Sequence, residues 1–514
     1  MPPPRSSFSS DGGSPSIATD NHPEKTKSHH AQDNSNSLHM VRSHYSGHDM
    51  PAADVEFKED DAEVYLRFSP ARKVVILIVL SICSFLAPVS STTVLSAIPE
   101  VAETFHSTES VLNGSNALYM AFMGIAAPFW GSFSQVWGRR PIFLVSGSLF
   151  VVFSLATALA PNLAAFYIFR VLTAFQGTSF LVVGSTAVGD IYEPRKRATA
   201  LSWFLSGTLV GPALGPFIGG VIVTYRSWTV IFWLQTALGG LATILVFFLF
   251  PETYPNLQKA DLASKSLRQN ATYLWRQASP FRVGVLLFSY PNLICAAVAA
   301  GALVWNQYSL LTPIRSVLNP RFGLQTPIQA ALFYLAPGTG YFLGTFLGGR
   351  WADYMVNKWI RKRGGRRIPE DRLKSCMYFV GAVIPVCVLI YGWSVQKRVG
   401  GIPLPVLAMF FQGLAQLFCF PSLNSYCIDV MQPSGRSAEV VAGNYLFRYA
   451  LAALGSGVVL PAVNVMGVGW FSTISALFLI IAGICVWATT VFGDSWRRRI
   501  DARRQQRQTE ERAK

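Results

Sequence analysis

The chain of 514 residues is 51% hydrophobic and only 14% charged, yet 43 Lys and Arg against 27 Asp and Glu leave it at +16. So few polar groups cannot clothe a chain of this length in a water-facing surface, which excludes a soluble enzyme. A nucleic-acid binder reaches such a balance with many charges, whereas here long tracts carry none.

Residues 1–72 are rich in Ser, Asp, His and Pro, hold no apolar period, and read as a disordered tail. Six of the seven His lie there, so no apolar span carries a His for proton relay. From Lys73 onward come twelve apolar stretches, each near the ~20 residues that cross a bilayer. They cover 74–97, 110–133, 141–160, 163–187, 198–224, 228–250, 283–311, 327–349, 376–394, 402–424, 437–464 and 470–492. The polar segment 251–282 divides them into a bundle over 73–250 and another over 283–492. A basic tail, 493–514, follows. Seven Cys sit almost all in apolar runs without C-x-x-C spacing and read as core residues, so neither a metal site nor a cofactor is expected.

Alternate connections hold 20 Lys and Arg on one side and 5 on the other. The excess predicts that both termini are cytoplasmic. The two bundles also repeat one another. Asp190-x-x-x-Pro194-x-x-Arg197 returns as Asp429-x-x-x-Pro433-x-x-Arg436 at an offset of 239. Phe175-Gln176-Gly177 returns as Phe411-Gln412-Gly413, and Gly131-x-x-x-Gln135 as Gly349-x-x-x-Asp353. Three matches in one order, each six spans apart, argue for parallel repeats of the kind that build alternating-access transporters.

The stretch Gly131-Ser-Phe-Ser-Gln135-Val-Trp-Gly138-Arg139-Arg140-Pro141 resembles the loop 2–3 signature of the major facilitator superfamily. Arg170-Val-Leu-Thr-Ala-Phe-Gln176-Gly177 is similar to its fourth-span signature. Gly207-Thr-Leu-Val-Gly211-Pro212-Ala-Leu-Gly215-Pro216-Phe-Ile-Gly219-Gly220 is similar to the fifth-span signature of its drug:proton antiporter branch. The resemblance covers residues 74–492 and points to fungal multidrug and metabolite exporters. It implies an all-α membrane fold of twelve helices in two parallel six-helix repeats, rocking about a midplane site. It further implies an acid at position 135 that latches the halves, and here Gln135 cannot form an ion pair. Either a hydrogen-bonded latch at Gln135 remains, or Asp353 in the second half carries more of that role. Arg139 and Arg140 either share in the latch or only fix topology.

Gly207, Gly211, Gly215 and Gly219 form one helical stripe that a partner helix can approach closely, while Pro212 and Pro216 bend the helix. The stripe is expected to seal the two halves against each other, or else to serve ordinary packing. Arg170 and Arg448 are the clear intramembrane charges and should face the bundle interior or a wet cavity. The resemblance implies proton coupling for Arg170, with Asp190 and Asp429 as candidate exchange groups. The other reading is an Arg satisfied by carbonyls, Gln176 or Asn116. Uncharged polar and aromatic residues outline a candidate cavity: Asn116, Tyr119, Trp305, Asn306, Gln307, Tyr308, Gln412, Gln416 and, one turn from Arg448, Asn444.

Two arginines without an intramembrane carboxylate suit an organic acid or amphiphilic metabolite better than a polycation. The expected protein is a monomeric, proton-driven exporter of a small organic molecule in a plasma membrane, embedded in lipid, with no nucleic-acid partner. A facilitator or proton-symporting importer on the same fold is the alternative. A receptor or membrane-embedded enzyme has less in its favour, because no nucleophile–base pair is present.

Overall fold

A computed structural model describes residues 65–254, 280–324 and 326–513. Most of the expected tail and of the segment 251–282 therefore lies outside the described residues. Those described are helical, with no strand among them. The long helices are α1 (Pro70–Thr92), α2 (Glu109–Trp137), α3 (Arg139–Ala158), α4 (Leu163–Ile191), α5 (Arg197–Tyr225) and α6 (Thr229–Leu249). They continue as α7 (Pro291–Leu311), α8 (Leu335–Lys362), α9 (Ile384–Lys397), α10 (Pro403–Met431) and α11 (Ser437–Ala513).

Ten helices are long and apolar enough to cross a bilayer among the described residues. These ten omit α2, although its 29 residues match its neighbours in length, and they take α11 as one. Gly467 breaks α11 at φ 84°, a conformation that other residues adopt only with strain. Twelve crossings thus require α2 and both arms of α11.

Local sequence sets the starts. Ser69 accepts from the Arg72 amide ahead of Pro70, and Asn162 accepts from the Ala165 amide at 2.9 Å. Gly138, at φ 95°, makes the turn from α2 directly into α3. Helix ends depart from the apolar spans in one direction. α1 begins at Pro70, inside the expected tail; α8 runs to Lys362, so Asp353 is helical; and the expected basic tail continues α11 to Ala513. Hydropathy marks the lipid-covered stretch, whereas Arg, Lys, Glu and Gln extend a helix equally well into water. The basic tail is also docked: Arg497 meets Glu370 at 3.5 Å, and the Tyr290 hydroxyl donates to Asp501 at 2.9 Å.

Ile78, Val152, Phe247, Phe248, Ile481 and Trp487 are exposed, the outward surface expected of helices solvated by lipid. α1, α4, α7 and α10 bury the larger share of their apolar lengths, and α3, α6 and α9 the smaller.

The glycine stripe of α5 does not seal the two halves. A Cβ at Gly211 would lie 3.0 Å from Pro88, and one at Gly207 or Gly219 would overlap the Ser81 or Thr93 carbonyl. All are on or just beyond α1, in the same half of the chain. A helix has several faces, and the stripe occupies the one turned toward α1. The face toward α8 is offset: a Cβ at Gly349 would lie 2.6 Å from Ser202 Cβ and 2.7 Å from Thr199 Cα. Gly131 and Gln135 are likewise on α2, not in a loop, and a Cβ at Gly131 would lie 2.8 Å from Ala442 on α11.

Candidate functional site

At the basic end of the helices, charges from both halves of the chain converge. Asp429, at the end of α10, ion-pairs with Arg197 at the start of α5, with Arg372 at 3.1 Å and with Arg367 at 2.6 Å. Arg372 also donates to the Pro194 carbonyl at 2.6 Å and lies 3.5 Å from Asp353. Asp353 accepts from the Ala198 amide at 3.2 Å, the Thr199 amide at 2.8 Å and the Thr199 hydroxyl at 2.6 Å. These are the free amides of a helix start, where a carboxylate is favoured by both hydrogen bonds and the helix dipole. Arg197, Arg372, Asp353 and Asp429 are buried. Burial pulls the Arg367 guanidinium below its usual range, and the Asp429 charge opposes that shift.

Gln135 sits at the matching place in the first half, one turn beyond Gly131 as Asp353 is beyond Gly349. Its departure from an acid has a counterpart across the contact. Glu439 is the third residue of α11, as Thr199 is the third of α5. A second carboxylate at 135 would bring like charges together. Glu439 is instead held by Arg436 at 2.6 Å.

Asp190 adjoins the Asp429 cluster, since the Arg197 charge acts on it as well as on Asp429. Arg139 meets it at 3.1 Å, and Glu252 accepts from the Arg139 and Arg140 amides at 2.9 and 3.2 Å. Tyr254 lies beneath the Arg139 guanidinium, 4.5 Å from ring to charge, and burial raises its phenol above the usual range. Asp190 lies 20 residues beyond Arg170 on α4, about 30 Å at ~1.5 Å per residue. Asp190 and Asp429 both answer to arginines of the basic face, with Arg197 acting on each.

Arg170 is buried in mid-helix. One nitrogen approaches Asn116 Oδ1 at 3.4 Å and the Ser91 carbonyl at 3.5 Å, while Nε and Nη1 have no partner. Gln176 does not bond it, and its own carbonyl oxygen is unpartnered. Asn116 in turn donates to Ser456 at 3.3 Å, which links the first half of the chain to α11. Arg448 lies between Phe420 and Tyr445, 4.5 and 4.7 Å from the ring centres, and donates to Asn424 at 3.1 Å. Asn444, one turn away, donates instead to the Cys427 sulfur at 3.3 Å.

Gln412 keeps both amide atoms unpartnered, while Gln416 donates to the Leu303 carbonyl at 3.4 Å. The Gln307 amide nitrogen also lacks a partner, and Tyr308 is buried. Trp305 is drawn outward, donating to Ser475 at 3.2 Å beside Phe471 and Phe478. Asn306 lines a small crevice with Ser309, Val468 and Ser475.

Four participants carried no sequence signal beyond their charge or polarity. Arg372 and Arg367 read only as orienting positive charges, and Glu100 with Arg315 only as residues of connections. At the far end Arg315 grips Glu100 with two nitrogens at 3.0 and 3.3 Å, again across the halves. Tyr65 was assigned to the tail, yet it is buried and its hydroxyl accepts from Gln432 at 2.5 Å and Arg197 at 3.4 Å. A repeated Asp-x-x-x-Pro-x-x-Arg pointed to Asp429, but not to its partners.

The profile of the Major Facilitator Superfamily matches residues 80–456. The MFS antiporter QDR3 of Candida albicans is 24% identical, across 82% of this chain and 77% of its own. Dityrosine transporter 1 of Saccharomyces cerevisiae is also 24% identical, across 80% and 78%. MFS-type transporter hepF of Aspergillus oryzae is 28% identical, across 86% and 93%. Among solved structures, the human organic anion transporter MFSD10 superposes with a TM-score of 0.62 at 15% identity, covering 82% of this chain and all of that one. The Escherichia coli xylose transporter XylE, in a partially occluded inward-open form, gives 0.57 at 14%, covering 81% and 97%. The chain is a member of the Major Facilitator Superfamily, a membrane transporter of the fungal type and not an enzyme.

Proposed function

We propose that the protein is a secondary active exporter that moves a small organic molecule by proton antiport. Residues 73–250 and 283–492 act as two bundles that rock about a midplane site. The observation that carries this reading is the pair of cross-half closures, Asp429 with Arg197 at the basic end and Glu100 with Arg315 at the far end. Interfaces made of discrete ion pairs are bistable, so opening one end while the other stays shut is the natural motion.

The basic end is the cytoplasmic one in this reading, the membrane is the plasma membrane, and the monomer is the working unit. Asp353 holds the latch that an acid at 135 would otherwise provide. Asp429 is the shared anchor: removing its charge leaves Arg197, Arg367 and Arg372 without their carboxylate and frees the inner faces. The name of the Candida albicans relative supports antiport, and export follows the fifth-span signature.

The test is flux in vesicles reconstituted with the whole protein, using candidate drugs and metabolites. An imposed proton gradient should drive substrate against its own gradient, and a protonophore should abolish it. Flux indifferent to the protonophore would leave a facilitator.

A further inference from the structure

The two arginines in the middle of the bundle differ from every other buried arginine described above. At the basic face Arg139 sits on Asp190, Arg197 and Arg372 on Asp429, and Arg497 on Glu370. Arg170 and Arg448 are equally buried, and neither has a carboxylate partner among the described residues. A guanidinium cannot shed its charge at physiological pH, and an isolated buried charge is costly. Something outside the chain must balance these two.

The pair is arranged as one site. Arg170 lies seven residues into α4 from the far end, about 10 Å at ~1.5 Å per residue. Arg448 lies eleven residues into α11 from the basic end, about 16 Å by the same rise. Asn116, which Arg170 approaches, bonds Ser456, eight residues beyond Arg448 on α11, so the two charges bracket about 12 Å of the bundle at ~1.5 Å per residue. Tyrosines occupy the space between. Arg170 stands 5.1 Å over the Tyr119 ring, Arg448 stands 4.7 Å over Tyr445, and Tyr445 stacks on Tyr449 at 6.1 Å. Tyr449 and Tyr119 are in turn within electrostatic reach of each other. Nε and Nη1 of Arg170 are unpartnered and the third nitrogen makes only contacts of 3.4 and 3.5 Å, so the guanidinium keeps donors for a carboxylate or phosphate. Beside Arg448, Asn424 leaves its amide nitrogen unpartnered.

We propose that the transported molecule is an aromatic organic dianion. One acidic group is held by Arg170 on the first half of the chain, the other by Arg448 on the second, and its ring lies among the tyrosines. This rests on the transporter reading above and narrows its substrate class. A molecule held at both ends neutralises both buried charges at once and ties the two halves together. A monoacid neutralises only one, and a polycation would add charge to an already cationic site.

The test uses the full-length protein in detergent, with terephthalate, biphenyl dicarboxylate and their mono- and dimethyl esters as probes. Binding is read by tryptophan fluorescence and thermal unfolding. At least one diacid should bind about 10- to 100-fold more tightly than its monoester, the worth of one charge-assisted contact, and the diester should bind weakest. In Arg448→Gln the diacid should fall to the affinity of the monoester. Arg170→Lys, which keeps the charge but loses the fork, should weaken the diacid less than Arg170→Gln does.

Equal binding of diacid and diester would overturn the proposal, and so would equal binding of diacid and monoester. The ester series in the unmodified protein decides this even if a variant fails to fold. Binding is independent of direction and driving force. Diacid binding without proton-driven flux would therefore sink the exporter reading alone. Proton-driven flux of a neutral compound, with no diacid preference, would sink this one.

Discussion

Asp429 balances three arginines from two halves of the chain, which makes it the most consequential single side chain on the basic face. Asp429→Asn leaves Arg197 and Arg372 buried without that carboxylate, a change that costs about 3–5 kcal/mol when a buried pair loses one member. The variant should unfold at lower temperature in detergent, and a cysteine placed at Thr199 should label faster from the basic side. Unchanged labelling would mean that the ion pairs do not hold the faces closed. Gln135 supports a second expectation. Gln135→Asp should loosen the same face through repulsion with Glu439, and adding Glu439→Thr should reverse it. The coupling in a double-mutant cycle should be of order 0.5–3 kcal/mol. At this scale the sequence was legible where a residue was out of place for its surroundings. Arg170 and Arg448 stood out as charges in apolar spans, and Asp353 by the gap that Gln135 leaves. Arg372, Glu100, Arg315 and Tyr65 are ordinary in their local context. Their meaning lies in partners 19 to 367 residues away, which spacing cannot supply.

For the helices, glycines divide by what faces them. Gly219→Ala should destabilise the protein by about 1–3 kcal/mol, because its Cβ would overlap the Thr93 carbonyl and a backbone cannot step aside. Gly240→Ala, on an open face of α6, should be neutral or raise stability by up to about 1 kcal/mol through helix propensity. Gly349→Ala belongs to neither class. It should leave the α1–α5 contact intact while forcing α8 from α5, so that labelling at the basic face rises more than melting falls. Thermal unfolding with cysteine labelling separates the three. The period of four in the α5 glycines announced a close helix contact, but not which neighbour would make it. Periodicity fixes a face, and the partner depends on how the remaining helices pack.

On the scale of the whole molecule, the positive charge that first set this chain apart has two roles. Most of it lies at one end of the helices, where it orients the chain and closes the basic face by pairing with Asp353, Asp429 and Glu370. Two charges, Arg170 and Arg448, lie buried within the bundle with no carboxylate partner among the described residues, and the proposed substrate is held there. The helical class, the family and the repeat were readable because apolar length and a duplicated motif survive without three-dimensional knowledge. The closures at the two ends were not, since each joins segments from different halves.

The central claim is that these closures alternate. Spin labels at Lys196 and Arg361 would report the basic end, and labels at Ser227 and Arg398 the far end, all four being exposed positions. Pulsed electron-spin distances should show the basic-end pair lengthening in Asp429→Asn while the far-end pair stays short, and the reverse pattern in Glu100→Gln. If both distances lengthen together, or neither moves in either variant, the two halves do not alternate and the account fails.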